Sequence, residues 1–368
     1  MTSEQKQKYV EVRNYLECRK LDAVLLSRRC NFSWFTCGAR NYVGHACDIG
    51  NSSLLVRRSG EAVVITTNIE GPRLAFEDLS DHGIDIVQYD YYDAASRDAV
   101  VKKVTGGLLI AADVPVAGVE AQPLAADFDQ MRWLLTPSEI ERYKTVCTET
   151  VNAVEYVGRD AQAGMTEYEL AGMLSGAIRC SGAIPWVLLV ASDERIEKFR
   201  HPLPTGKAIK KYFMLVACAE MHGLICACSR LASFGAISDE LARKHQAVAN
   251  VDAAMIAATV PGATLGDVFA VAQEAYAANG FADQWKHHHQ GGPCGYQPRE
   301  AIATPGDKTP ILSGQALAWN PSITGTKSED TIICQKSGTQ ILADPTDWPM
   351  IEGTHKGKAL PRPAILVK

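Results

Sequence analysis

The sequence predicts an α/β protein with two domains, over residues 1–130 and 131–368. A chain of 368 residues is longer than most single domains. Short apolar runs typical of β-strands alternate with longer segments of helical periodicity. Thr136-Pro137-Ser138-Glu139 has the pattern of a helix N-terminus, with a capping threonine and a glutamate three residues later. We expect this helix to extend to about Asp160 and to begin the second domain.

The first domain is predicted to begin with a helix, because apolar residues recur at helical intervals within 9–16. The apolar runs 53–56 and 62–65 flank Gly60 and predict a β-hairpin. Further strands are expected at 22–26, 84–89 and 107–111. These segments together predict a small α/β domain.

The second domain is predicted to alternate helices with strands. After the helix at 137–160, further helices are expected from Thr166 onward, at 238–259 and at 265–279, with Pro261-Gly262 separating the last two. The apolar runs that predict strands are 185–190, 212–219, 223–228, 315–319 and 330–334.

Composition excludes several classes of protein. Lys and Arg total 37 against 42 Asp and Glu, a formal charge of −5, which gives no support for a nucleic-acid partner. No apolar run reaches the roughly 18 residues of a membrane helix. The polar start lacks the apolar core of a signal peptide, so a cytoplasmic location is expected. The eleven cysteines are odd in number and contain no C-x-x-C pair, which favours reduced thiols.

Polar residues of the second half fall into five short clusters that are candidates for a site. The clusters are Phe199-Arg200-His201-Pro202, the strand pair ending at Ser229-Arg230, the segment 287–296, Arg299-Glu300, and Trp319-Asn320-Pro321 with Ser328-Glu329-Asp330-Thr331.

In this order and spacing the clusters resemble the creatinase, methionine aminopeptidase and prolidase superfamily. His201 falls where that family has its first active-site histidine, and 223–230 resembles its Gly-Tyr-x-x-Asp-x-Thr-Arg. The segment 288–295 resembles His-x-x-Gly-His-x-x-Gly, and Glu300 falls on the Glu of the following His-Glu. The early segment 31–38 resembles a strand of the family's N-terminal domain. The resemblance implies a small N-terminal creatinase-like α/β domain and a C-terminal catalytic domain of the pita-bread fold.

The sequence departs from the family at the metal ligands. Metal-dependent members hold two divalent ions with Asp, Asp, His, Glu and Glu. The corresponding positions here are Ala217, Ala227, Gly292, Asn320 and Glu329. Because two cations need several anionic oxygens around them, we expect no dinuclear centre and no cofactor. A single ion held by the 287–289 histidines and nearby cysteines is an alternative; on an extended segment only His287 and His289 would converge.

The remaining side chains form an acid–base set. Histidine titrates near neutral pH, so we expect His201 to act as general acid and base, with His288 and Glu300 stabilising the transition state. Glu329 is a further catalytic candidate, and Arg299 is expected to bind a substrate carboxylate. The remaining candidates for substrate binding are Arg230, Asn320, Trp319, Cys294 and Ser229. Three of them have plainer interpretations, namely a structural ion pair for Arg230, a core strand for Trp319 and a buried thiol for Cys294.

Four functions stay open. The leading hypothesis is a metal-independent, creatinase-like hydrolase that cleaves a C–N bond of a small amidic or guanidino-type substrate. The alternatives are a metal-dependent Xaa-Pro aminopeptidase or dipeptidase, a lyase, and a non-catalytic binding protein on the same fold. The expected partners are a small-molecule substrate and, by resemblance, a second copy of the chain in a homodimer.

Overall fold

The computed structural model describes residues 2–368. It divides into two compact units, Met1–Arg132 and Trp133–Lys368, with the division two residues from the expected boundary. Mixed α/β architecture is found in both units, as the sequence predicted.

The first unit is built around one six-stranded sheet of order β4-β3-β2-β1-β5-β6. Its strands are β1 (Ala23–Arg28), β2 (Ile49–Arg57), β3 (Ala62–Thr67), β4 (Asp85–Tyr89), β5 (Ile110–Ala112) and β6 (Ala121–Pro123). Its helices are α1 (Ser3–Arg19), α2 (Arg29–Phe35), α3 (Gly71–Arg73), which continues as a π-turn (Leu74–Asp78), α4 (Ala94–Thr105) and a 3₁₀ turn (Ala126–Arg132). Strand β2 pairs in antiparallel fashion with β1 and with β3. The parallel pairs are β3 with β4, β1 with β5, and β5 with β6. The predicted hairpin is therefore confirmed.

The segment 31–38, expected to be a strand, is helical in its first half. Helix α2 covers Arg29–Phe35, and all seven of its residues are buried. The carboxylate of Asp113 accepts hydrogen bonds from the backbone N–H groups of Ser27 and Arg28 and from the side chain of Asn31. These bonds hold the chain where it leaves β1 and enters α2. The expectation of a strand here was wrong; because every residue of α2 is buried, the apolar pattern of this segment does not distinguish a helix from a buried strand.

The second unit contains five helices: α5 (Pro137–Asp160), α6 (Glu167–Cys180), α7 (Glu194–Lys198), α8 (Asp239–Ala258) and α9 (Leu265–Ala278). Thr136 caps α5 and Thr166 caps α6, each in a reciprocal capping box with a glutamate three residues later. Helices α5, α8 and α9 lie within one residue of the predicted bounds at each end, and α6 begins directly after Thr166 as predicted.

Two four-stranded sheets position the site. The first has the order β18-β9-β8-β7, and the second has the order β10-β11-β14-β15. Their strands, with two further pairs, are β7 (Ile184–Ser192), β8 (Tyr212–Met221), β9 (Leu224–Ser233), β10 (Gly291–Pro293), β11 (Gln315–Trp319), β12 (Ser322–Ile323), β13 (Thr326–Lys327), β14 (Asp330–Cys334), β15 (Gln340–Ile341), β16 (Met350–His355), β17 (Lys358–Pro363) and β18 (Leu366–Val367).

Each sheet packs one face against a helix pair. Val154 of α5 and Leu174 of α6 are buried with Ala217 and Cys228 of the first sheet. Helices α8 and α9 form a second core with β11 and β14 around Trp319. Within residues 2–368, no helix has the length and apolar character needed to cross a membrane. The eleven cysteines are free thiols.

A buried histidine in α8 makes the second unit sensitive to acid. His245 is 4% exposed, with Nε2 2.9 Å from the Pro363 carbonyl oxygen and Nδ1 2.7 Å from Thr326 Oγ1. Since a carbonyl only accepts, Nε2–H donates to Pro363, and the Thr326 hydroxyl donates to Nδ1. Both ring nitrogens are thus satisfied in the neutral form, and burial lowers the pKa of His245 to about 4.

We expect the free energy of unfolding to fall as the pH is lowered from 6.5 to 4. In this range His245 binds a proton in the unfolded chain but stays neutral in the folded protein. The loss from this residue is up to about 3 kcal/mol. Urea unfolding at pH 7, 5.5 and 4.5 measures it. His245→Gln should be less stable at pH 7 but show a shallower dependence on pH. The exposed His287→Gln is the control, and equal slopes for both variants would contradict the prediction.

Candidate active site

Three histidines meet in the second unit. His201 follows α7, and His288 and His289 follow a 3₁₀ turn that ends at His287. The Nε2 atoms of His201 and His288 are 3.0 Å apart. His201, His288 and His289 each place one ring nitrogen so that the three atoms are all within 4.8 Å of one another. The sequence-predicted pairing of His201 with His288 therefore has the geometry of a direct hydrogen bond.

The expectation that His287 and His289, rather than adjacent histidines, would converge was wrong. The ring centroids of His288 and His289 are 4.5 Å apart. The backbone N–H of Gly291 donates to Nδ1 of His289 at 3.3 Å, and regular strand β10 begins only at Gly291. The 3₁₀ turn ends at His287 and His288 is extended, so the three histidines do not form one regular strand and side-chain alternation does not apply across them. Both rings lie on the side of His201.

All three imidazoles are neutral at pH 7. Burial, reinforced by the charge of Lys327, lowers the pKa of His288 to about 2. Burial and the charge of Arg299 lower the pKa of His289 to about 4. Burial and Lys327 also lower the pKa of His201 below 6.5. In the contact between His201 and His288, one neutral ring donates its N–H and the other accepts it.

A buried carboxylate with two cations lies next to the histidines. Glu329 is 2% exposed; its Oε2 is 2.7 Å from Lys327 Nζ and its Oε1 is 2.8 Å from Arg299 Nη2. The hydroxyl of Ser229 donates to Oε2 at 2.6 Å. Burial alone would raise the pKa of Glu329, but Lys327 and Arg299 lower it to about 2. Two cations against one carboxylate leave one positive charge in the group, while the imidazoles are neutral.

Lys327 is the site residue that the sequence reasoning missed. It lies two residues before Glu329 in Thr326-Lys327-Ser328-Glu329, and is 5% exposed. Side chains two residues apart in an extended segment share a face. A lysine at that spacing from the one retained metal-binding carboxylate was the signal that could have identified it.

The position assigned to the first metal-binding Asp needs a correction. Residues Cys218 and Ala227 are paired across β8 and β9, so they share a face, and Ala217 faces the opposite side. Ala217 packs in the core with α5 and α6. The charge of Glu329 acts on Cys218, and burial raises the pKa of this thiol to about 12. The residue that faces the site is therefore Cys218, which is a neutral thiol and not a carboxylate.

The remaining metal positions cannot hold a dinuclear centre either. A Cβ atom added to Gly292 would lie 2.3 Å from the carbonyl oxygen of Ala301, so a histidine does not fit there. Asn320 is 2% exposed, and its Oδ1 accepts no hydrogen bond from the part of the chain that the structure describes. Glu329 already binds Lys327 and Arg299. The residues present do not fit two divalent cations, which need several anionic oxygens.

The predicted substrate-binding residues have mostly structural contacts. Arg230 is buried, with Nε 2.8 Å from Glu155 Oε1 and Nη1 2.9 Å from Asp330 Oδ1. Ser229 and Arg299 bind Glu329, while Arg299 Nε is buried and has no hydrogen-bond partner within residues 2–368. These ion pairs agree with the structural interpretation of Arg230, and its role in substrate binding stays a prediction.

Trp319 and Cys294 do not line the site. Trp319 is 1% exposed in the core between α8 and α9, and its indole N–H donates to Thr259 Oγ1 at 2.8 Å. Cys294 is also 1% exposed, and the Tyr143 hydroxyl lies 3.3 Å from its sulfur. Burial raises the pKa of Cys294 to about 12, so it is a thiol at pH 7. Their burial agrees with the plainer interpretations, a core strand and a buried thiol, and substrate binding by either stays a prediction.

Glu300 is half-buried directly after Arg299. Its backbone N–H donates to the Pro293 carbonyl at 2.8 Å, and its charge acts on Cys294. Its catalytic role stays a prediction.

An α/β unit followed by two helix-backed sheets is the architecture of the pita-bread fold. The family model described as Metallopeptidase family M24 matches residues 141–341, which are more than half of the chain. The chain belongs to this family. The resemblance seen in the sequence is thereby confirmed at the level of family and fold.

Similar proteins carry the same architecture over nearly their whole length. The Uncharacterized peptidase YqhT of Bacillus subtilis (strain 168) is 21% identical over an alignment of 353 residues, which covers 91% of this chain and 97% of that protein. An Xaa-Pro dipeptidase from Bacillus anthracis has a TM-score of 0.78 at 19% identity, covering 99% of this chain and 100% of that one. The prolidase from Pyrococcus horikoshii OT3 has a TM-score of 0.77 at 18% identity, covering 91% and 97%. At these identities the structural likeness shows the fold.

We expect Lys327→Met to destabilise the protein by about 3–5 kcal/mol at pH 7, because it leaves Glu329 buried with less compensating charge. Urea unfolding measures the loss. Adding Glu329→Gln to Lys327→Met should recover part of it.

The matched control for this experiment is Lys286→Met. Lys286 lies 2.7 Å from Asp283, the same N–O distance as in the buried pair, but the two side chains are 56% and 77% exposed. The control should cost less than about 1 kcal/mol. A similar loss in both lysine variants would contradict the role given to burial.

Proposed function

We propose that the protein is a metal-independent hydrolase that cleaves a C–N bond of a small substrate with its paired histidines. The observation that carries this proposal is the contact of His201 with His288 at 3.0 Å beside a carboxylate bound by Lys327 and Arg299. The cationic side chains lie next to the one carboxylate that remains of the metal-binding set. Family M24 membership supports hydrolysis as the class of reaction.

His201 is the group best suited to move protons. It is exposed, whereas His288 is 9% exposed. A base must take the proton from water and later give it to the leaving nitrogen, which favours a pKa not far below the working pH. The pKa of His288, lowered to about 2, is unsuitable for this cycle. His288 instead positions His201 through the Nε2 contact.

The positive charge supplies the electrostatic part of the reaction. Attack of water on an amide carbonyl places negative charge on the carbonyl oxygen. Lys327 and Arg299 together exceed the charge of Glu329, and their positions are fixed before substrate arrives. A fixed positive potential in a buried site stabilises that oxygen, and His201 then protonates the departing nitrogen.

The same charge favours one of the two substrate classes. A guanidinium substrate would bring a further cation next to Lys327 and Arg299, and the neutral imidazoles do not offset it. A neutral amide, with or without a carboxylate elsewhere, avoids this repulsion. We therefore favour a small amide substrate over a guanidino compound. The proposal keeps the expected cytoplasmic location and homodimer.

A metal-dependent Xaa-Pro peptidase is the second candidate, favoured by the family assignment. One assay separates the candidates: purified protein with Xaa-Pro dipeptides, amino-acid amides, ureas and guanidino acids, with and without chelator or Mn²⁺, detecting released amine or ammonia. Turnover that chelation leaves unchanged supports the proposal. Turnover that requires Mn²⁺ would establish the peptidase. Ligand binding without turnover would favour the non-catalytic alternative, and an unsaturated product would identify a lyase.

We expect His201→Asn to lower kcat by about 10²–10⁴-fold, because the variant keeps a neutral polar side chain but cannot transfer the proton. The exposed neighbour His287→Asn is the matched control and should stay within about twofold of the wild type. Metal analysis of the purified proteins accompanies both assays. Equal activity of the two variants would contradict the role of His201.

The pH dependence should show a single acid limb below pH 6.5. His201 must be unprotonated to accept a proton from water, and its pKa lies below the ordinary value. The rate of amide hydrolysis is therefore expected to fall as the pH decreases through that pKa and to be level from pH 6.5 to 8. A rate that falls as the pH rises through neutrality would show that the protonated histidine is the active form.

A further inference from the structure

A second cavity lies in the same unit as the histidines and is not lined by any of them. It has a volume of about 550 Å³, within the range of about 300–1,000 Å³ typical of small-molecule sites. Part of its lining is apolar, including Ile140, Val151, Ile333 and Leu342. The other part is charged and buried, formed by Glu155, Arg230 and Asp330.

The charged part contains an unused hydrogen-bond acceptor. Glu155 is 1% exposed, and its Oε1 accepts from Arg230 Nε at 2.8 Å. Its Oε2 is buried and accepts no hydrogen bond within residues 2–368. The nearest cation is Arg159, whose Nη2 is 3.7 Å away and also pairs with Asp347. A buried carboxylate oxygen without a donor is uncommon in proteins and calls for a partner.

The neighbouring charges cannot supply that partner. Arg230 is shared between Glu155 and Asp330, and Arg362 is shared between Asp330 and Asp252. Three carboxylates thus share two guanidinium groups. At the rim, Lys144 is 2.8 Å from Asp344. The lining of the cavity can therefore accept a hydrogen-bonded positive charge at Glu155.

We propose that this cavity is a binding site for a small organic ammonium ion with an apolar body. The ammonium group donates to Oε2 of Glu155, and the apolar body packs against Ile140, Val151 and Leu342. A charge-assisted hydrogen bond to a buried carboxylate is stronger than a neutral one, so the cation is preferred over an alcohol of the same shape. An anion is excluded because it would face Glu155 and Asp330.

The experiment compares three probes of equal size: benzylamine, which is protonated at pH 7, benzyl alcohol and benzoate. Calorimetric titration of the full-length protein should detect benzylamine, with benzyl alcohol at least tenfold weaker and benzoate without binding. The site variant His201→Asn should bind benzylamine as the wild type does, which separates this cavity from the histidines. Equal affinity for the three probes, or loss of binding in His201→Asn, would overturn the proposal.

Two variants locate the site. Glu155→Gln should weaken benzylamine binding at least tenfold, whereas Glu141→Gln, an exposed acid of the same lining, should change it less than twofold. Because Glu155→Gln also alters the partner of Arg230, a second variant fills the cavity without removing charge: Ala343→Phe, at a half-buried lining position, should abolish binding. Unchanged affinity in both Glu155→Gln and Ala343→Phe would overturn the proposal. In crystals soaked with 4-bromobenzylamine, anomalous bromine density at this cavity would support it, and density only elsewhere would refute it.

Discussion

The buried carboxylate of Glu329 is the constraint on which the site depends. An ionised carboxylate that is 2% exposed is costly unless charges and hydrogen bonds compensate it. Lys327, Arg299 and Ser229 provide this compensation from three different parts of the chain. The two cations in turn reinforce the effect of burial, which lowers the pKa of the three histidines. Removing one of them therefore changes both folding stability and the protonation of the imidazoles.

Strand alternation connects this group to the second cavity. Ser229 donates a hydrogen bond to Glu329 in the site. The next residues in the chain, Arg230 after Ser229 and Asp330 after Glu329, form an ion pair at the second cavity. Successive side chains on a strand point to opposite faces. Strand β9 and the segment 329–330, joined by the bond from the Ser229 N–H to the Glu329 carbonyl at 3.1 Å, thus carry the site on one face and the buried ion pairs on the other. The Ser229 carbonyl oxygen accepts a hydrogen bond from Arg230 Nη1 at 2.9 Å. The side chain of Ser229 thus contacts the site, and its backbone contacts the ion pairs on the other face.

Much of the fold could be predicted because its signals are local. The capping box at Thr136, the hairpin at Gly60 and the strands at 315–319 and 330–334 each follow from a few adjacent residues. The site was predictable to the extent that His201, His288 and Glu329 match family motifs.

What could not be predicted depends on register or on turns. The face of Ala217 follows from its pairing with Cys228, which a hydrophobic run does not specify. The convergence of His288 with His289 requires the turn before Gly291. The helix at Arg29–Phe35 depends on Asp113, which lies far away in sequence. Each of these was set by a long-range or non-repetitive backbone interaction that a linear pattern does not contain.

In the function that we propose, a lysine and an arginine take the place of the metal ions, so a side chain must activate the attacking water. A bound divalent ion lowers the pKa of its water ligand to near neutrality, so the metal generates the nucleophile. An ammonium or guanidinium group stabilises nearby negative charge but has no open coordination position for water. The proton must then be taken by a side chain, and His201 is exposed with a pKa below 6.5. Nor can a single substitution restore the metal set, since the backbone at Ala301 excludes a side chain at Gly292. In the function that we propose, the loss of the ligands and the packing around them therefore leave proton transfer to imidazole.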